Sequence, residues 1–323
     1  MSRRVVSLVV ISGVLTLVGC SGGGGGGDPA APAAITAGNA TLIAASVMGA
    51  AQNAADLGQF TFFGPTTTLA FSSKSILAAK VADVRNAGLD ALMRRAQAIP
   101  LAPISPDTTP CADAGRVTLS GDVAAAGTLT PNDTIALDFA LCVEGAVTVN
   151  GRFSMQVVSF SGDFASGTYS LNVGVQLSDL EVTIGGEATT MNGSVSLDID
   201  AVASGTVTTT VTSTSISVAR HGSTSTFSNY SSTTTTLSGA FARDVSGSLT
   251  SSAFSGSVTF STTTLLQGAC GCSTDAGQVV ITGANGGTIT VVVLDATFVR
   301  LKVDTNGDGT VDATFDVTWT DLT

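Results

Sequence analysis

The residues best suited to chemistry lie near the C-terminus, in Asp304-Thr305-Asn306-Gly307-Asp308-Gly309-Thr310-Val311-Asp312. Asp304, Asn306, Asp308, Thr310 and Asp312 place a side-chain oxygen at every second position. Carboxylates held this close are costly without a hard cation among them. On its residues alone the run also reads as an Asp/Gly turn that closes a hairpin with no ion. Nucleophilic and acid–base chemistry is scarce elsewhere. The chain has one histidine, His221, which any serine or cysteine triad would have to use. No G-x-S-x-G occurs, and no acid lies close to His221 in sequence. Asp179, Glu181, Asp198 and Asp200 offer carboxylates, yet Asp198 and Asp200 share the strand face opposite Leu197 and Ile199, which is the pattern of a solvated face. The six glycines 22–27 are followed by no lysine, so they make no phosphate loop.

Five cysteines are present. Cys20 ends Leu17-Val18-Gly19-Cys20, after a positive segment with Arg3 and Arg4 and an apolar run from Val5 to Val18. That run is too short to span a bilayer, which takes ~20 residues. The pattern resembles the lipobox of bacterial lipoproteins. The resemblance implies cleavage before Cys20, acylation of its thiol, and several acyl chains, because one chain holds only marginally. Ser21, where an aspartate would favour the inner membrane, implies sorting to the outer membrane. Ser21, the six glycines and Asp28-Pro29-Ala30-Ala31-Pro32 follow as a flexible leash of about 14 residues, with an r.m.s. reach of ~20 Å.

Cys111, Cys142, Cys270 and Cys272 remain, an even number suited to an oxidising compartment. Three connectivities are open. Cys111–Cys142 is the favoured pair, and it leaves Cys270 and Cys272 to close a C-x-C disulfide around Gly271. A soft-metal or redox site at Cys270 and Cys272 is disfavoured, because no thioether or imidazole lies near in sequence.

The Asp304–Asp312 run resembles the calcium loops of EF-hands and dockerins. That resemblance implies Ca²⁺ held by Asp304, Asn306, Asp308 and Asp312, with a carbonyl from Thr310 and a sharp turn at Gly309. The twelfth position, an acid in EF-hands, is Phe315, and Asp316 follows one residue late. With a ligand missing, the expected affinity is ~10⁻⁴–10⁻³ M. The flanks read as strands. Setting Val303 opposite Phe315 puts Lys302 opposite Asp316, which makes Asp316 an ion-pair partner and not a ligand.

Formal charge is −11, and loss of Arg3 and Arg4 takes it to about −13. An acidic chain with no basic run excludes nucleic acid as a partner. Charged residues make up only 11% against 44% hydrophobic, and the apolar residues alternate with Ser and Thr, which is a folded β pattern and not disorder.

Residues 36–99 read as helical. A first helix runs from a cap at Asn39 or Thr41 to Ala55, with Ile43, Val47 and Ala51 on one face and Gly58 as the stop. Phe60, Phe62 and Phe63 form an apolar plug. A second helix starts near Ser72, with Leu77, Val81, Val84, Leu92 and Ala96 opposite Lys74, Lys80, Arg85, Arg94 and Arg95. Pro100, Pro103, Pro106 and Pro110 make an extended linker. No proline follows Pro131, as a continuous sheet requires. Ile135, Leu137, Phe139 and Leu141 alternate, as do Tyr169, Leu171, Val173, Val175 and Leu177. A repeat of 42 residues relates Val149-Asn150-Gly151 to Met191-Asn192-Gly193. Residues 203–238, rich in Thr and Ser, are either exposed strands or a mobile segment.

The expected fold is mainly β (α+β): a long antiparallel meander, curled or half-barrel-like, with two N-terminal helices over one face. The expected organisation is a signal at 1–19, a tether at 20–35, helices and linker at 36–110, and a β domain at 111–323. The function expected first is a non-enzymatic, outer-membrane-anchored structural or binding module of the envelope, stabilised by Ca²⁺, with an envelope protein as a candidate partner. The alternative is a carrier of lipid or another apolar ligand between sheet and helices. A periplasmic hydrolase ranks third.

Overall fold

Residues that alternate between apolar and small polar can bury one side of a strand only if the strand lies in a sheet, and most of the strands of this chain alternate in that way. The computed structural model describes residues 30–58, 104–122, 129–163, 166–220, 222–269 and 274–322. Cys20, the tether glycines, Phe60, Phe62, Phe63, the second helix expected from Ser72, His221, Cys270 and Cys272 lie outside the described residues.

The strands are β1 (Ile104–Pro110), β2 (Ala114–Asp122), β3 (Thr134–Glu144), β4 (Val147–Asp163), β5 (Thr168–Ile184), β6 (Glu187–Ala201) and β7 (Val207–Arg220). They continue as β8 (Ser223–Leu237), β9 (Ala240–Ser251), β10 (Ser257–Ala269), β11 (Thr274–Thr282), β12 (Thr288–Val293), β13 (Phe298–Asp304) and β14 (Ala313–Thr318). All belong to one antiparallel sheet in strict sequence order, and the sheet does not close on itself. The expected meander is therefore present, and Ser/Thr-rich residues 203–238 supply two of its inner strands, β7 and β8. β1 and β14 are the edges. Part of the proline linker expected before residue 111 is strand β1, and its Pro106 and Pro110 sit where an edge tolerates a missing N–H.

Helix α1 (Ala40–Gly58) packs on the sheet by Ala40, Ile43, Ala44, Val47 and Met48, all buried at helical spacing. It touches β7, β8 and β9 as well as β12 and β13. Those strands lie six spacings apart at most, ~29 Å across the sheet, about the length of the 19-residue helix. Asn39 stands at the helix start, but its side chain faces backward. Its Oδ1 accepts from the Thr36 N–H (2.9 Å) and its Nδ2 donates to the Ala34 carbonyl (2.9 Å).

Residues 31–35, expected as tether, are strapped to the sheet. The Ser257 N–H donates to the Ala31 carbonyl (2.9 Å), the Ala33 N–H to the Ser257 carbonyl (2.7 Å), and the Ala284 N–H to the Ala33 carbonyl (2.7 Å). Ala33 and Ile35 are buried there. The strap holds because Gly283 offers no side chain; a Cβ at that position would lie 2.3 Å from the Ala33 oxygen.

The 42-residue repeat marks a pair of bulges. On β4, Asn150 Oδ1 accepts from the N–H of Leu141 (3.3 Å); on β6, Asn192 Oδ1 accepts from the N–H of Asp179 (2.6 Å). Leu141 and Asp179 are bulge residues with φ of 48° and 46°. The glycine after each asparagine lets the next strand approach: a Cβ on Gly151 would lie 2.0 Å from the Asp179 oxygen, and one on Gly193 2.5 Å from the Ser215 oxygen. On β11 Gly277 also lies close to a neighbouring strand, where a Cβ would sit 2.7 Å from the Leu265 oxygen of β10. A row of bulges backed by glycines is how a sheet acquires strong local curvature.

Candidate functional site

The Asp304–Asp312 loop joins β13 to β14, and its shape is set by Asp304. This buried carboxylate accepts three loop N–H groups: Asn306 (3.2 Å) and Gly307 (2.7 Å) on Oδ1, and Gly309 (2.8 Å) on Oδ2. Asp308 Oδ1 accepts from the Thr310 N–H (2.7 Å), and Asp312 Oδ2 from the Thr305 N–H (2.8 Å) and hydroxyl (2.5 Å). Gly307 (φ 77°) lies against the turn at Asn285 and Gly286, where a Cβ would sit 2.7 Å from the Asn285 oxygen. The loop thus backs onto the turn that also holds the N-terminal strap.

The register differs from the expected one by two residues. Val303 pairs with Ala313 and Arg300 with Asp316, so the ion-pair partner of Asp316 is Arg300 and not Lys302. The Asp312 N–H donates to the Val303 carbonyl (2.8 Å), closing the loop two residues early. Arg300 grips Asp316 through Nε (2.7 Å) and a terminal nitrogen (2.8 Å). As expected, Asp316 lies outside the loop.

Hydrogen bonds hold several of these carboxyls below the ordinary aspartate range. Asp308 is lowered by the Thr310 N–H and then Asn306, Asp312 by the Thr305 hydroxyl and N–H, and Asp316 by Arg300. Asp321 is lowered by Thr318. A depressed folded-state pKa contributes stability that is complete above the unfolded value, here 3.8, and is lost as pH falls through the folded values. The melting temperature is accordingly expected to be level from neutrality to about pH 5 and to fall below about pH 4. Circular dichroism melts across that range check it; a melting temperature still rising as pH drops below 4 would refute the assignment.

Removal of Asp304 is the most damaging change available in this loop. Asp304→Ala leaves three N–H groups without their acceptor and is expected to cost about 2–4 kcal/mol, whereas Asp308→Ala, on an exposed carboxyl, is expected to change little. Denaturant titration of the two variants compares them, and equal losses would contradict the geometry.

The other expected residues are scattered. Cys111 and Cys142 form a disulfide, with Cα atoms 5.4 Å apart. Together with Glu144 they are the three metal-type groups that approach within 4.8 Å among the described residues, and the disulfide uses both sulfurs. Asp179 is bonded by Asn192 (3.0 Å) and Asp198 by Asn172, so these acids serve separate strand contacts.

Sequence reasoning missed one cluster entirely. On the face that buries Val211, Val245 and Tyr230, four polar side chains come together: Thr209, Ser232, Thr234 and Arg243. Arg243 Nε donates to Thr234 Oγ1 (3.1 Å), and its guanidinium carbon lies 5.3 Å from the centre of the Phe241 ring. Thr209 pairs with Thr234 across β7 and β8. Ser232 is 1% exposed, and its hydroxyl has no hydrogen-bond partner. The available signal was the Thr/Ser run itself, in which alternate hydroxyls must face inward.

No family model matches the chain, and comparison with curated proteins and with solved structures gives no match.

Proposed function

We propose that this chain is a lipoprotein of the bacterial outer membrane, held there by acylated Cys20, whose β-module serves a structural or binding role in the envelope and not a catalytic one. The observation that carries the reading is the Cys111–Cys142 disulfide in a module that begins eleven residues after the lipobox cysteine. Disulfides persist in oxidising compartments outside the cytosol. Residues 31–33, which lie near the end of the expected tether, are hydrogen-bonded to Ser257 and Ala284 of the sheet. Among the described residues no helix is long and apolar enough to cross a membrane, and the reading requires none. Fractionation tests it: the wild-type chain is expected in outer membranes and Cys20→Ser in the soluble periplasmic fraction. A Cys20→Ser chain that stays in the outer membrane would defeat the anchor.

We place Ca²⁺ at the Asp304–Asp312 loop as a structural ion held by Asp304, Asn306, Asp308 and Asp312 with the Thr310 carbonyl. Support comes from the alternating oxygens and from Gly309 (φ 83°) at the sharp turn. Saturation at millimolar Ca²⁺ is expected to raise the melting temperature by several degrees, and chelator to reverse the gain. A melt indifferent to both would remove the ion.

A second reading is a carrier of an apolar ligand between sheet and helices. It is favoured by Ser232, whose buried hydroxyl lacks a partner from the protein on strands that α1 touches. The second helix over the inner face, drawn from residues 72–96, belongs to the same proposal, because its apolar positions suit that face.

A further inference from the structure

Three side chains at the β1–β2 corner are arranged for more than a disulfide. Cys111 directly follows edge strand β1, and its N–H donates to the Gly115 carbonyl (3.2 Å). Cys142 and Glu144 stand two apart on β3, so both leave the same side of that strand. The two sulfurs and a Glu144 carboxylate oxygen all lie within 4.8 Å of one another. Cys111 and Cys142 are buried and Glu144 is half-buried. Among the described residues, no hydrogen bond or ion pair engages the Glu144 carboxylate. Beside a disulfide such a carboxylate gains nothing and loses hydration. Beside two thiolates and a divalent cation it completes a ligand set.

We propose that the dithiol form of this corner is a Zn²⁺ site, with the thiolates of Cys111 and Cys142 and the carboxylate of Glu144 as ligands and water in the fourth position. Thiolate donors suit Zn²⁺ and not the hard ions that oxygen-only loops take. Around tetrahedral Zn²⁺, with Zn–S near 2.3 Å and Zn–O near 2.0–2.2 Å, neighbouring ligand atoms stand ~3.6–3.8 Å apart. Glu144 is already close to that range. The cysteine Cα atoms are 5.4 Å apart, and rotation about the two Cα–Cβ bonds parts the sulfurs. The corner keeps its shape by bonds that use none of the three ligands. The Asp113 N–H donates to the Val143 carbonyl (3.1 Å), and the Gly145 N–H to Asp113 Oδ2 (2.6 Å). Metal and bond are therefore alternative staples for the same turn and strand.

A dithiol reductant converts one into the other. One of its thiolates attacks a cysteine sulfur, the Cys111–Cys142 bond breaks, and a mixed disulfide forms. Its second thiolate then displaces the remaining cysteine. The reductant leaves as a cyclic disulfide, and its two thiol protons end on Cys111 and Cys142. Zn²⁺ sends both protons to water as it binds. Reoxidation of the two cysteines releases the metal.

The test uses the mature chain carrying Cys20→Ser, Cys270→Ser and Cys272→Ser, which leaves Cys111 and Cys142 as its cysteines. A phosphine reduces it without offering the metal a competing thiol. Co²⁺ is the first probe, because its thiolate charge-transfer absorption reports sulfur ligation, and Zn²⁺ is the second. The reduced chain is expected to take up one Co²⁺ with that absorption and to yield it to Zn²⁺, while the oxidised chain takes up none. Glu144→Gln is expected to weaken Zn²⁺ at least about tenfold, the lower end of the loss for groups that merely support a metal ligand. Cys142→Ser is expected to abolish the Co²⁺ absorption. Thermal melts of the reduced chain separate a folded site from loose thiols. Zn²⁺ held by the folded corner raises the melting temperature, and Glu144→Gln removes most of the rise. A melting temperature lowered by Zn²⁺, as when metal prefers the unfolded chain, would overturn the site, and so would a reduced chain that takes up no Co²⁺. Zn²⁺ affinity untouched by Glu144→Gln would overturn the ligand set.

Discussion

Gly151→Ala is expected to cost about 3 kcal/mol or more in urea titration. The added Cβ would lie 2.0 Å from the Asp179 oxygen and 2.6 Å from its carbonyl carbon, both backbone atoms of the neighbouring strand. Neither can move alone, because the Asp179 N–H is bound to Asn192 Oδ1 and its carboxylate to Asn192 Nδ2. The substitution therefore pushes on β5 and β6 together, and its φ of 95° adds backbone strain. Gly145→Ala provides the control. Its φ is 61°, yet nothing lies within 4 Å of the new methyl, so only the left-handed backbone cost of about 1 kcal/mol remains. Equal losses in the two variants would mean that the row of bulges does not hold the strands at the distance described.

Opening the Cys111–Cys142 disulfide has the next largest expected effect. It closes a loop of 31 residues, for which the chain-entropy relation gives about 3–4 kcal/mol. Such a loss is a large part of the roughly 5–15 kcal/mol by which domains are stable. The bond ties the end of β1 to β3 across β2, at a place where Gly145 N–H also donates to Asp113 Oδ2 (2.6 Å). Without it, the β1–β2 edge is expected to fray first. Reductant is best applied in a Cys270→Ser/Cys272→Ser background, so that one bond answers for the change. A denaturation midpoint unmoved by reductant there would show that the staple contributes nothing.

Much of the sheet was legible from alternation, because period two admits few arrangements for a chain without proline after residue 131. The pairing of Cys111 with Cys142 was legible for a related reason: both fall at the start of the β-region, two strands apart. The register of β13 and β14 was not. Arg300 and Lys302 stand on the same face, and a shift of two residues preserves every side chain's face. The choice was made by Asp304, which gathers three loop amides and shortens the loop. The Asn-Gly repeat was visible as a repeat, but a bulge is defined by the strand opposite, and no single strand carries that information. Thr209, Ser232 and Thr234 were hidden for another reason. In a run of Thr and Ser both faces look alike, so composition does not say which hydroxyls turn inward.

The strictly sequential strand order also bears on how this chain acquires its shape. Each strand's partners are its immediate predecessor and successor, so every pairing after the first closes only a short loop, and loop closure is cheapest when short. A polypeptide delivered N-terminus first can then zip up hairpin by hairpin as it emerges, with no strand waiting on a distant mate. Helix α1 is the exception: it emerges before all fourteen strands, yet every strand named above as its contact lies beyond residue 206. Its apolar stripe, Ile43, Ala44, Val47 and Met48, must stay uncovered until most of the sheet has been delivered. The interval between emergence and docking of α1 is therefore the time during which the nascent protein is most open to capture by a chaperone.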